Sequence, residues 1–261
     1  MSFSTDLVVV VRGFGRRKCS TMTEKKQKPR VSDIEDNLTG VIVGHSNVEK
    51  LQSWIGSEHT NAFAHPLQIC DRLRDLRFLS TPGLMSADLL TGEMERQCGR
   101  FDIVVLDCGS EDLAAGIPIQ TIIDNLVNFA KRCLALGSSA VVIVSVLPRT
   151  RNMQVTFQEF SKNMYTLNDK LRSRCIAEKV VFFRHTGFFK MNDGVTDLPI
   201  SYWTQDGVHP SPICYHKSDM KSGMEKYARS IRSAVHRGLQ WRVQLKQEQL
   251  NSVATPVIFL K

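Results

Sequence analysis

A chain of 261 residues with 42% apolar composition is long enough to bury one large core and does not require two domains. Its formal net charge of +8 is local: Arg12, Arg16, Arg17, Lys18, Lys25, Lys26, Lys28 and Arg30, against Asp6 and Glu24, give residues 1–30 a net +6. Seven cysteines, odd in number and without a C-x-x-C pair, speak against a disulfide framework and for reduced, mostly buried thiols in an intracellular protein.

Residues 1–37 show no helical or strand period after Val11 and read as a flexible basic arm able to contact nucleic acid or an acidic partner through residues 12–30. The apolar run Leu7 to Val11 is too short for a membrane span or a signal-peptide core, and the basic residues follow it. The expectation is a soluble cytoplasmic protein, with nuclear placement compatible with the arm. Gly13-Phe14-Gly15 lacks the third glycine and the helix of a dinucleotide fingerprint.

From Thr39 onward, strand and helix patterns alternate. Strands are expected at 40–43, 72–79, 101–107, 140–147 and 179–183, and helices at 48–56, 85–97, 116–136, 157–175 and 219–239. Phe101 to Asp107 is nearly continuous in apolar residues, as a central parallel strand is. Ile119, Ile122, Ile123, Leu126, Phe129, Ala130 and Cys133 share one helical face. The pattern predicts a three-layer α/β/α sandwich on a five-stranded parallel sheet within residues 38–240, followed by a tail at 241–261.

In such a sheet, chemistry collects at the carboxyl ends of the strands. Three turns fall on that edge: Gly44-His45-Ser46, Gly83, and Gly109-Ser110-Glu111-Asp112. Asp206-Gly207-Val208-His209 then places a carboxylate and an imidazole three residues apart on a loop before the last helix. Ser46 can be a nucleophile, or an N-cap whose hydroxyl accepts a helix N–H. His209 can be a general base, or a structural histidine on a loop. His209, Cys214 and His216 fall within eight residues but lack a fourth ligand, so no metal is expected. Phe182-Phe183-Arg184-His185 reads as a sheet strand before a nucleic-acid stacking platform, and Lys221, Lys226, Arg229, Arg232, Arg237 and Arg242 as a solvated basic helix face.

The four blocks, in this order and spacing, resemble those of the SGNH (GDSL-type) hydrolases, over about Thr39 to Leu239. Val146 to Arg149, Val180 to Phe188 and Tyr227 to Arg232 further resemble the divergent SGNH-like domains of invertebrate multi-gene sets and retrotransposon-encoded proteins. The resemblance implies an esterase without metal or organic cofactor. Ser46 would be its nucleophile, His209 its base and Asp206 the carboxylate orienting the base. The backbone N–H groups of Ser46 and Gly83 would form two parts of the oxyanion hole. Glu111 stands where the family has an asparagine donor, and His45 where it most often has aspartate. An ionised Glu111 cannot donate a hydrogen bond; only a protonated one can. Residues 211–218 look like an insertion able to cover the site or displace His209, and the family's last-helix glycine falls on Gly223. The substrate implied is a small ester or acetylated compound; the alternative is a catalytically impaired binding module that uses the basic arm. Nothing in the sequence sets the oligomeric state.

Overall fold

The computed structural model describes residues 37–57, 70, 72–185, 202–213 and 222–254. The arm expected at 1–37, with its contact region 12–30, lies outside the described residues except for Asn37, as do Cys214 and His216.

Five strands form one parallel sheet: β1 (Leu38–Gly44), β2 (Leu73–Ser80), β3 (Ile103–Asp107), β4 (Ala140–Val144) and β5 (Val181–Phe183). Their spatial order is β2-β1-β3-β4-β5. Alternate residues supply two cores, because successive side chains of a strand point to opposite faces. Ile42, Ile103, Val105, Val142 and Val144 pack with α1 (Ser46–Trp54) and the C-terminal helix. Val41, Val43, Val104, Leu106, Val141 and Ile143 pack with the helices of the opposite layer. These are α2 (Glu93–Cys98), α3 (Ser110–Ala114), α4 (Ile119–Ala135) and α5 (Phe157–Ala177). The expected three-layer α/β/α architecture is present.

The boundaries differ where a local signal overrides periodicity. The single helix expected at 85–97 is a 3-10 turn, Ser86–Leu90, and then α2. Gly92, with φ +76°, breaks the path between them. β4 stops at Val144 because the N–H and C=O of Val146 go to the Asn168 side chain, at 2.8 and 3.1 Å, and not to a neighbouring strand. The last helix, α6 (Gly223–Ala254), runs well past Leu239. Trp241 and Val243, assigned from sequence to a tail, pack against the core. Cys98, Cys108, Cys133 and Cys175 are buried free thiols, and Cys70 is likewise buried. Among the described residues, no helix is long and apolar enough to cross a membrane.

Candidate active site

The chain leaves β1 for β2 on one side and later returns to place β3 on the other. The carboxyl ends of β1 and β3 therefore flank the crevice where sheet order reverses, the usual ligand position in an open α/β sheet. Ser46 follows β1 and Glu111 follows β3. Gly44 makes this approach feasible: a Cβ there would stand 2.5 Å from the Asp107 carbonyl oxygen and 2.5 Å from Cγ2 of Val48.

The capping alternative for Ser46 is overturned. His45, in extended backbone, is the N-cap of α1 and its side chain makes no cap hydrogen bond; Ser46 is the first helical residue. The Ser46 hydroxyl is committed elsewhere. Its Oγ lies 2.7 Å from Nε2 of His209, and His209 Nδ1 lies 2.6 Å from Oδ2 of Asp206. The ionised carboxylate only accepts, so Nδ1 carries the proton and Nε2 is free to accept from the serine.

The loop supporting His209 is held from several sides. Trp203 and Pro210 form an antiparallel bridge, the Ser211 N–H donates to the Tyr202 carbonyl at 2.7 Å, and the Thr150 N–H donates to the Gly207 carbonyl at 2.8 Å. Oδ1 of Asp206 accepts from the Thr204 hydroxyl at 2.5 Å and from the N–H groups of Val208 and His209 at 2.8 and 3.1 Å. Partial burial works to raise the Asp206 carboxyl, but hydrogen bonds from Thr204, His209 and the two N–H groups outweigh it and hold it well below the ordinary carboxylate range. His209 is thus not displaced by the segment at 211–218, of which residues 214–218 lie outside the described residues.

A second cluster adjoins Ser46. Arg149, 4% exposed, donates to both oxygens of Glu111, from Nη2 to Oε1 at 2.5 Å and from Nη1 to Oε2 at 3.1 Å. Desolvation alone would raise the Glu111 carboxyl, but the hydrogen bonds and charge of Arg149 prevail and lower it below its ordinary value. Glu111 is therefore an ionised acceptor, which overturns the protonated-donor alternative. Its Oε1 is 4.0 Å from Nδ1 of His45, and that nitrogen is 3.4 Å from Ser46 Oγ. His45 is 1% exposed. Burial depresses its pKa against the opposing charges of Asp107 and Glu111, so the ring is neutral near pH 7.

Gly83 lies on the loop after β2, at φ +75°, with open space where a Cβ would stand. Two contacts fix this loop. The Thr81 N–H donates to the Gly44 carbonyl at 3.1 Å, and Asp112 accepts from the N–H and hydroxyl of Ser86.

Arg149, Asp112 and Thr204 were not assigned roles from sequence. Arg149 and Glu111 stand 38 positions apart, and no spacing rule links them. Lys226, read as part of a solvated face, is buried with its ammonium 4.3 Å from the centroid of the Tyr202 ring. Arg229 is paired with Glu225 at 2.8 Å, whereas Arg232 and Arg237 are exposed as expected. Phe182 and Phe183 belong to β5, as expected, and His185 is fully buried.

Among solved structures, the fold matches a GDSL-like lipase from Bacteroides thetaiotaomicron at 16% identity, covering 81% of this chain and 92% of that one, with a TM-score of 0.55. It also matches an acetylxylan esterase from Geobacillus stearothermophilus at 13% identity, covering 77% and 95%, with a TM-score of 0.55. A lipase/acylhydrolase from Enterococcus faecalis matches at 14% identity, covering 77% and 96%, with a TM-score of 0.53. No protein-family profile matches the chain, and no curated protein matches it by sequence. The chain has the fold of the GDSL-type lipases and acylhydrolases.

Proposed function

We propose that the protein is a serine ester hydrolase of the SGNH (GDSL) type, acting on a small carboxylic or acetyl ester. One observation carries the reading: the unbroken succession Asp206 Oδ2, His209 Nδ1 and Nε2, and Ser46 Oγ, at 2.6 and 2.7 Å. Lipase and acetylxylan esterase, the activities named for two proteins of this fold, are both acyl-ester hydrolyses and support the same class.

In this mechanism Nε2 of His209 takes the Ser46 proton as Oγ attacks the acyl carbon. Asp206 holds the imidazolium in place. In this reading the N–H groups of Ser46 and Gly83 donate to the developing oxyanion. Collapse of the tetrahedral intermediate breaks the bond to the leaving alcohol, which takes the proton from His209. Water then repeats the sequence on the acyl-enzyme and restores Ser46. No cofactor or metal enters any step.

Hydrolysis of p-nitrophenyl acetate by the wild type and by Ser46→Ala tests the reading, together with labelling by a fluorophosphonate. Hydrolysis and labelling that both disappear in Ser46→Ala are the expected outcome. A wild type that does neither, or an unchanged Ser46→Ala, refutes it.

The ionised Glu111 favours a second reading, a catalytically impaired, transposon-related binding module that contacts nucleic acid or an acidic partner through residues 12–30. A salt titration of nucleic-acid binding with and without residues 1–37 tests it: affinity that is unchanged by the deletion refutes the arm's role.

A further inference from the structure

The Ser46 hydroxyl has one proton, and the 2.7 Å contact commits it to Nε2 of His209. Its oxygen can then only accept from the second imidazole that faces it, that of His45, whose Nδ1 is 3.4 Å away. For that contact to be attractive, Nδ1 must carry the proton. Glu111 favours this tautomer, because an ionised carboxylate 4.0 Å from Nδ1 stabilises N–H there and repels a lone pair. Arg149, held on both Glu111 oxygens, keeps the carboxylate ionised and in place. Burial of His45 keeps the ring neutral, so Nδ1–H is a fixed donor and not a titrating one.

We infer that His45 is a further catalytic residue: its Nδ1–H donates to Ser46 Oγ, holds the hydroxyl proton on the His209 side, and stabilises the negative charge that builds on that oxygen during attack. The inference rests on the esterase reading. In the first step the Oγ–H bond breaks toward His209 Nε2, the Oγ–C bond forms and the carbonyl π pair moves onto the acyl oxygen, while His45 keeps its proton throughout. Glu111 and Arg149 are positioning residues, acting only through the His45 tautomer. Ser46 is thereby flanked by two acid–imidazole pairs of opposite duty. Asp206–His209 takes the proton, and Glu111–His45 steadies the oxygen left behind.

The substitutions that test this keep size and change donors. Asparagine can place an amide N–H near the position of the imidazole Nδ1, leucine fills the space without a donor, and aspartate offers only acceptors. Steady-state hydrolysis of p-nitrophenyl acetate, fluorophosphonate labelling rates and melting temperature are measured on each variant. The expected result is a loss of roughly tenfold to a hundredfold in kcat for His45→Leu and His45→Asp, the range of one hydrogen bond to a charged oxygen, with KM within about twofold. His45→Asn retains kcat within about threefold, and Glu111→Gln loses less than His45→Leu. A folded His45→Leu with wild-type kcat overturns the inference, as does a His45→Asn as slow as His45→Leu. If His45→Leu fails to fold, the comparison of His45→Asn with the near-isosteric His45→Asp decides. Hydrolysis that depends on Ser46 but not on His45 removes this inference alone, whereas hydrolysis or labelling independent of Ser46 removes the esterase reading with it.

Discussion

The Asp112 carboxylate receives the Ser86 N–H on both oxygens, at 3.0 and 2.9 Å, and the Ser86 hydroxyl at 2.6 Å. Asp112 is 1% exposed, and these bonds tie the segment after Gly83 to α3. Asn125 joins the same hydroxyl at 3.1 Å. Asp112→Ala leaves buried donors unmatched and costs about 2 to 4 kcal/mol. It also lowers ester turnover by loosening the Gly83 loop. Urea unfolding and turnover on the same sample check both; a wild-type midpoint would show that the bonds do not matter.

Asp206→Asn keeps the size of the side chain but replaces an acceptor with an amide, which no longer fixes the proton on Nδ1 of His209. Turnover is expected to fall roughly 10³- to 10⁴-fold with circular dichroism unchanged. A loss below tenfold would place the orientation of His209 elsewhere in the loop.

Gly223 begins α6 against the neck of the loop that carries Asp206 and His209. A Cβ there would stand 1.9 Å from the Tyr202 carbonyl oxygen and 2.9 Å from the Ser211 nitrogen, atoms that hydrogen-bond to each other. Backbone cannot give way as a side-chain tip does, so Gly223→Ala should cost about 1 to 3 kcal/mol and impair turnover more than Gly137→Ala, a control distant from that neck. Equal turnover in the two variants would refute the coupling.

His185 is fully buried, with Nδ1 2.6 Å from the Ser230 hydroxyl, and burial pushes its pKa down to about 4 from 6.5. Between those values the unfolded chain takes up a proton that the native ring refuses. The stabilisation is therefore whole above about pH 6.5 and lost as pH falls toward 4, in total by about 3 kcal/mol. The neutral, buried His45 contributes in the same direction. Denaturant titrations at pH 7, 5.5 and 4 measure the slope. His185→Gln should flatten it, and an equally steep fall in that variant would assign the effect elsewhere.

Local sequence patterns specify the layers of the fold and the sheet edge that carries the candidate site. Continuous apolar runs such as Ile103 to Leu106 report burial on both faces, and the period of Ile122, Leu126, Phe129 and Cys133 reports a helix packed along one side. Both are local patterns. Ser46 is legible in one short block, and Asp206 and His209 together in another. Boundaries were less so: Gly92 outweighed helical spacing between Leu90 and Glu93, and α6 continued because Trp241 and Val243 found core to pack against. The state of Glu111 and the neighbours of His45 depend on long-range packing. A glutamate reads alike whether it faces water, apolar side chains or a guanidinium. The fold brings Arg149, on the loop after β4, onto Glu111, and that pairing, between residues remote in the chain, fixes the charge beside Ser46.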